Sequence, residues 1–391
     1  MGYRAFVSRS VPAGGHQALG MAVGVGAWGW WGEGGESGFE GFRCVGTSHV
    51  VHGKRTYKLQ TLIELRELTK RFGSEASGGI LAVDHISFKV EPGEVLGFLG
   101  PNGAGKSTTM KMVTGFLPPT SGTALVCGKD VTVDPLGVKE KIGYLPEGAP
   151  AYSDMTPEGF LHFCAQVRGL RGSEAKAAVA KAVERTNLQG VLRQPVETLS
   201  KGFKRRVGLA QAIMHNPQVL IMDEPTDGLD PNQKHEVRTL IREMAQSHAA
   251  GSAGGAGRAV VLSTHILEEV EAVCTRVVLI ARGRVVADCT PAQFMAKSKY
   301  HNAVTLVVVP RDGAHVTAVL SRIDGVAGVE DIRTEETSEG KQIRCTVLAR
   351  SGKTIAHEVS HMVKAKGWPV EMMRVEAGRL DDVFRDLTSA R

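Results

Sequence analysis

The stretch GPNGAGKST, Gly100–Thr108, carries three glycines, a lysine and two hydroxyls, and fits the spacing G-x-x-x-x-G-K-[ST]. The apolar EVLGFL precedes it and the helix-like TTMKMVTGF follows, which is the strand–loop–helix setting this spacing needs. Glycines let backbone N–H groups turn inward around phosphates, and a helix N-terminus adds a favourable dipole. In such a loop Lys106 reaches the β- and γ-phosphates and the Ser107 hydroxyl ligates Mg²⁺. A second element, VLIMDEPTDGLDP, sets two acids at the end of a continuously apolar strand. Asp223 is placed to orient Mg²⁺ and its water shell, and Glu224 to polarise an attacking water as general base. An acidic turn after a core strand would look the same in isolation. A third strand ends in Ser263-Thr264-His265, where a lone histidine is more often structural than catalytic. Three parallel strands would nevertheless deliver Lys106, Glu224 and His265 to one sheet edge, the place where α/β sheets bind ligands. There His265 could hydrogen-bond the γ-phosphate and orient the water.

Two further spots are weaker alone. Glu147 follows the strand-like IGYL and precedes a helical insert, so it could sense Mg²⁺ or water; a plain strand-end acid is the default. In ETLSKGFKRRVGLAQAI, Ser200-Lys201-Gly202 stands at a helix mouth. Ser200 is an N-cap-type residue, and the free N–H groups nearby favour an anion. An ordinary helix cap is the alternative reading.

The positioning elements are those of a compact α/β chain that begins abruptly at Leu62. LIELRELTKRF alternates as an edge strand should, and AVDHISFKV and EVLGFLG follow as strands. Pro157 to Asn216 reads as helical, in separate amphipathic pieces such as Ser173–Leu188. PQVLIMDEP and RAVVLSTH are short apolar runs of the kind buried in parallel sheets, and RVVLIARGRVVA reads as a hairpin turning at Arg282-Gly283. Ala245–Gly257, rich in small residues, reads as a floppy surface loop. After about Tyr300 the order becomes β-α-β-β-α-β, which predicts a small ferredoxin-like domain, with a last helix in RLDDVFRDLTSA. Residues 1–60, rich in Gly and Trp and without a helix or strand period, are expected to be a flexible leader or to lie upstream of the true start.

Composition excludes several classes. The net charge of the 391 residues is +6, and residues 1–60 supply half of it. The rest is close to balanced, which argues against a dedicated nucleic-acid binder. Six scattered cysteines without a C-x-x-C pair read as free thiols in a reducing compartment. No apolar run reaches the roughly 18 to 20 residues of a membrane helix, and the chain reads as cytoplasmic.

The ordered set of phosphate loop, LSKGF turn with its helix, MDEPTDGLDP and STH resembles the ATPase subunit of an ABC transporter over about Leu62 to Gln293. The export-type ATPases linked to gliding motility and to multidrug or antibiotic resistance look most similar, with YLPE, LSKGF and a C-terminal GRLDDVFRDLT-like segment. The resemblance implies a P-loop NTPase domain at 61–298 with an antiparallel β subdomain and a helical insert at about 148–216. A C-terminal α+β domain then fills 299–391. ATP and Mg²⁺ are the implied cofactors. Phe72 would stack on adenine, a contact tolerant of other purines. Gly100, Pro101, Asn102, Gly103, Ala104, Gly105, Lys106, Ser107 and Thr108 would hold the phosphates. Ser107, Asp223 and Glu147 would serve Mg²⁺, with Glu224 as base and His265 as switch. Ser200, Lys201, Gly202 and Asp230 would reach a nucleotide on a second subunit, so a homodimer is implied. So is a separate transmembrane permease, with this chain peripheral on the cytoplasmic membrane face. Two departures stand out: the usual lid-loop glutamine is Glu147, and the usual Ser-Gly-Gly-Gln is Ser200-Lys201-Gly202-Phe203. A soluble ABC-type ATPase of DNA or the ribosome would need long heptads or two ATPase domains. A poorly hydrolysing ATP-binding module fits badly with intact Lys106, Asp223, Glu224 and His265. The C-terminal domain is expected to make dimer contacts or to bind a small ligand.

Overall fold

A computed structural model describes residues 49–52, 55–58, 61–73, 78–149, 151–247, 257–310, 315–337 and 340–389. The expectations for residues 1–48, and for most of the Ala245–Gly257 loop, lie outside the described residues. Within the expected leader, His49–His52 and Arg55–Lys58 pair as a short antiparallel hairpin. Val50, Val51, Thr56 and Tyr57 are residue types enriched in strands.

The apolar runs that end in the candidate acids form the centre of a six-stranded sheet. Its order is Arg284–Cys289, Arg276–Ala281, Val95–Leu99, Ala259–Thr264, Val219–Asp223, Ile142–Leu145. All neighbours are parallel except the first pair, a hairpin whose turn residues Arg282 (φ 50°) and Gly283 (φ 78°) are both left-handed. Such a turn matches the strand twist.

Side chains alternate across a strand, and here both faces are buried. Val95, Leu99, Leu220, Met222, Val260 and Leu262 point into one core with the helices Pro157–Val167, Gly172–Arg185 and Lys201–Ile213. Leu96, Phe98, Val219, Ile221, Ala259 and Val261 point the other way, onto the helix Lys106–Val113 and an antiparallel sheet. That sheet has the order Ile80–Val90, Ile63–Phe72, Ser121–Val126, Lys129–Asp130. Ile63–Phe72 is therefore an interior strand rather than the expected edge, because Ser121–Val126 pairs along its second side.

The C-terminal sheet is antiparallel in the order Val326–Thr337, Gly340–Ala349, Val304–Val308, Val370–Val375. This is the strand order of the split β-α-β pattern read from the sequence. Its helices Val316–Leu320 and Ala356–Ala365 close a separate core around Leu306, Cys345, Val347 and Trp368. The first is only five residues long, as its β-branched Val316, Thr317 and Val319 are poor helix formers. The last helix, Leu380–Ser389, leaves this core: Leu380 and Val383 are buried with Phe294, Val270 and Val273 in the helical-side core of the large sheet. Among the described residues no helix is long and apolar enough to cross a membrane.

Candidate functional site

Gly100 is buried where the strand Val95–Leu99 ends, and a Cβ there would meet the Ile280 carbonyl oxygen at 2.4 Å. Gly103 and Gly105 take φ of 78° and 105°, conformations that only glycine adopts freely. Pro101 accepts from the Ala104 N–H at 3.2 Å, and Ala104 accepts from the Gly283 N–H at 2.9 Å, so the loop is braced by the hairpin turn. Asn102 and Gly103 are exposed at its tip, while Ser107 and Thr108 sit half-buried in the first helical turn. Lys106 is buried, and its Nζ donates to the Gly100 and Pro101 carbonyls at 2.7 and 3.0 Å. Burial lowers its pKa, against the pull of the Glu224, Asp223 and Glu147 carboxylates.

Asp223 is the buried last residue of its strand. Glu224 follows in a left-handed conformation, φ 49°, rare outside glycine and found mostly where the surroundings enforce it. Here its N–H donates to the Ser263 carbonyl at 2.8 Å, which locks two neighbouring strand ends together. Its carboxylate Oε1 accepts from His265 Nδ1 at 2.7 Å. Lys106, Asp223, Glu224 and His265 thus stand at the carboxyl ends of three adjacent parallel strands.

Two buried groups that sequence reading missed support this end of the sheet. Glu269 Oε2 accepts from Thr264 Oγ1 at 2.8 Å, and the same hydroxyl accepts from the Ile266 N–H at 3.0 Å, fixing the residues on either side of His265. Burial raises the Glu269 pKa. Arg205, 5% exposed, donates to the carbonyls of Pro146 and Glu224. Neither is marked by its sequence neighbours: Arg205 sits in a run with Lys204 and Arg206, and Glu269 beside Glu268. Glu147 itself is exposed in the turn after Pro146.

Ser200 caps the helix Lys201–Ile213, its Oγ accepting from the Phe203 N–H at 3.3 Å. Asp230 caps the helix Pro231–Gln246, its Oδ1 accepting from the Gln233 N–H at 2.9 Å. These two helix mouths adjoin, since a Cβ on Gly202 would lie 2.4 Å from Gln233 Oε1 and one on Gly228 3.5 Å from Lys201 Cδ. The Ser200 hydroxyl is engaged by its own helix. Phe72 ends its strand 43% exposed, with Lys70 Nζ 5.4 Å from the ring centroid. The structure places it on the antiparallel sheet, opposite Ile80.

The family model for ABC transporters matches residues 83–227, from the antiparallel sheet through the loop after Glu224. Among curated proteins, a Nod factor export ATP-binding protein of Burkholderia thailandensis is 36% identical over 229 residues, 59% of this chain and 71% of that one. This chain belongs to the ABC transporter ATP-binding family. Nucleotide binding by the ABC domain follows from that membership. A linearmycin resistance ATP-binding protein of Bacillus subtilis is 29% identical over 84% of this chain and 98% of its own, so the similarity extends into the C-terminal sheet. A probable multidrug ABC transporter ATP-binding protein of Escherichia coli is 39% identical over 61% of the chain, and the chain spans only 39% of that relative's length. A solved ATP-binding subunit of an ABC transporter superposes with TM-score 0.52 at 31% identity, covering 60% of this chain and 92% of that one. A dimeric ATP-binding cassette bound to ADP and phosphate shares the fold with TM-score 0.53, at 20% identity.

Proposed function

We propose that this chain is the ATP-binding and ATP-hydrolysing subunit of an export transporter, driving a separate transmembrane permease. The observation that carries it is the Glu224–His265 hydrogen bond at the carboxyl ends of the strands that also bear Lys106 and Asp223. Gly100–Thr108 cradle the phosphates, Phe72 takes the base, Glu224 accepts a proton from the attacking water, and His265 holds the γ-phosphate and orients that water. The Ser107 hydroxyl and the Asp223 carboxylate are hard oxygen donors, a set suited to Mg²⁺ shared with nucleotide phosphates, and Glu147 stands near enough to Lys106 to bear on it. Mg²⁺ supplies charge neutralisation there. Ser200, Lys201, Gly202 and Asp230 complete the nucleotide site of a second copy, in a homodimer peripheral to the cytoplasmic membrane face.

A groove of about 1140 Å³ beside the helical insert supports the permease partner. Phe116, Leu136 and Val167 line it at 70–75% exposure, which leaves apolar side chains open to a partner. Affinity-tagged chain expressed in its own host is expected to co-purify with a multi-helix membrane protein that changes its ATPase rate. Recovery in the soluble fraction alone, with a rate indifferent to added membranes, would sink the transporter reading.

Two substitutions test the departures. Glu147→Gln removes an exposed negative charge near the phosphates and Mg²⁺, and should raise the half-saturating Mg²⁺ concentration by about two- to threefold, the scale of a partly solvated charge pair. An unchanged Mg²⁺ titration contradicts the role. Lys201, exposed at the first helical position, brings positive charge to the partner's γ-phosphate, so the ATP-bound dimer should loosen as salt rises over the range where Debye screening tightens. Lys201→Gly is expected to flatten that salt dependence; if sedimentation shows the same slope, Lys201 is a solvated side chain only.

A further inference from the structure

The geometry points to Arg205 as a positioning residue that joins the Ser200-Lys201-Gly202 helix to the backbone of Glu224. This rests on the function proposed above. Arg205 lies on the second turn of the helix that Ser200 caps, so one rigid segment carries both. One guanidinium nitrogen donates to the Pro146 carbonyl at 3.3 Å, immediately before Glu147, and the other donates to the Glu224 carbonyl. A guanidinium fork can serve two such acceptors at once, which an ammonium on a flexible stem does poorly.

Glu224 needs that support. Its left-handed backbone is held from the sheet side by its N–H on the Ser263 carbonyl, and by the Asp227 N–H on its own carbonyl at 3.2 Å. Arg205 is the hold from the helical side. Removing it leaves a strained residue anchored on one flank. The guanidinium is also set among negative charge: although burial is the largest influence on it, the carboxylates of Asp227, Glu224, Asp223 and Glu147 all act on it. A helix mouth that engages a nucleotide on another subunit is thereby tied to the peptide that aims the base. Arg205 touches no reacting atom in this scheme.

The test uses the full chain, with steady-state ATPase kinetics, ATP-driven dimerisation and thermal midpoints on each variant. Arg205→Lys keeps the charge but loses the fork, and should lower kcat by about tenfold, the worth of one charged hydrogen bond. KM and ATP-driven dimerisation should stay within twofold. Arg205→Met should lower kcat further, and Asp227→Asn in that background should restore about tenfold by removing one of the carboxylates that act on this cation. A residue that merely fills space would show no such rescue. A parental kcat in Arg205→Lys overturns the proposal. So does a loss that falls equally on KM and dimerisation and is not relieved by Asp227→Asn. A parental chain that hydrolyses no ATP overturns the ATPase reading itself, a result distinct from either.

Discussion

Glu224→Gln is expected to lower kcat for ATP hydrolysis by on the order of 10²–10⁴-fold, the contribution typical of a positioned general base. Glutamine keeps the length of the side chain and an oxygen that can accept from His265 Nδ1, now 2.7 Å from Glu224 Oε1. It keeps the backbone hold on Ser263 as well. What it loses is the lone pair able to take a proton from water at neutral pH. Nucleotide affinity should therefore stay near the parental value, and the ATP-bound dimer should accumulate, because the step that dissolves it is blocked. Steady-state phosphate release together with sizing in ATP reads both. Hydrolysis at the parental rate would remove Glu224 from the chemistry.

Gly105→Ala should be nearly as damaging, through the backbone rather than through charge. Gly105 stands at φ 105° directly before the helix Lys106–Val113, and an added Cβ would lie 2.4 Å from the Ala82 carbonyl oxygen and 3.3 Å from Val83 Cγ2. Neither the conformation nor the contact can be relieved by a side-chain rotation, since Ala82 belongs to the strand Ile80–Val90. The loop must move, and Lys106 moves with it. Strain of about 1–3 kcal/mol at such a position corresponds to roughly 5- to 150-fold in nucleotide affinity. Gly103→Ala is the control: its φ is 78°, but a Cβ there meets nothing within 4 Å, so it carries the conformational cost alone. Titration with a fluorescent nucleotide should rank Gly105→Ala well below Gly103→Ala. Equal affinities would mean the Ala82 contact is absorbed by the loop.

Lys106, Asp223, Glu224 and His265 were legible because each stands within a few residues of an apolar strand end, and strand ends in a parallel sheet converge. The C-terminal strand order was legible for a similar reason, as alternating runs and short helices follow one another in sequence. Ser121–Val126 was not: its SGTALV run is short, opens on Ser and Gly, and acquires its partner only when the chain returns past Thr69. Missing it turned an interior strand into an expected edge. Arg205 and Glu269 stayed hidden because burial and long-range partners define them, and a row of basic or acidic residues on a helix gives no hint of which one faces inward. Ser200 shows the limit in another way. Its capping bond is the local reading, and a role across a dimer needs a second chain.

The helix Leu380–Ser389 has a consequence for how the chain acquires its structure. Leu380 and Val383 complete a hydrophobic core whose other residues, up to Phe294 and Met295, come earlier, with the whole C-terminal sheet intervening in sequence. On a translating ribosome the strands and helices of the ATPase domain emerge first, yet one wall of their core arrives only after that sheet has been synthesised. At about 5–20 residues per second the exposed face waits several seconds. Domains generally fold as units in the order they are made, and this one must either stay partly open or bury its apolar face provisionally until the final helix docks. The interval is one in which a chaperone would find a binding surface, and in which the sheet of residues 304–375 can fold on its own core before the larger domain is closed.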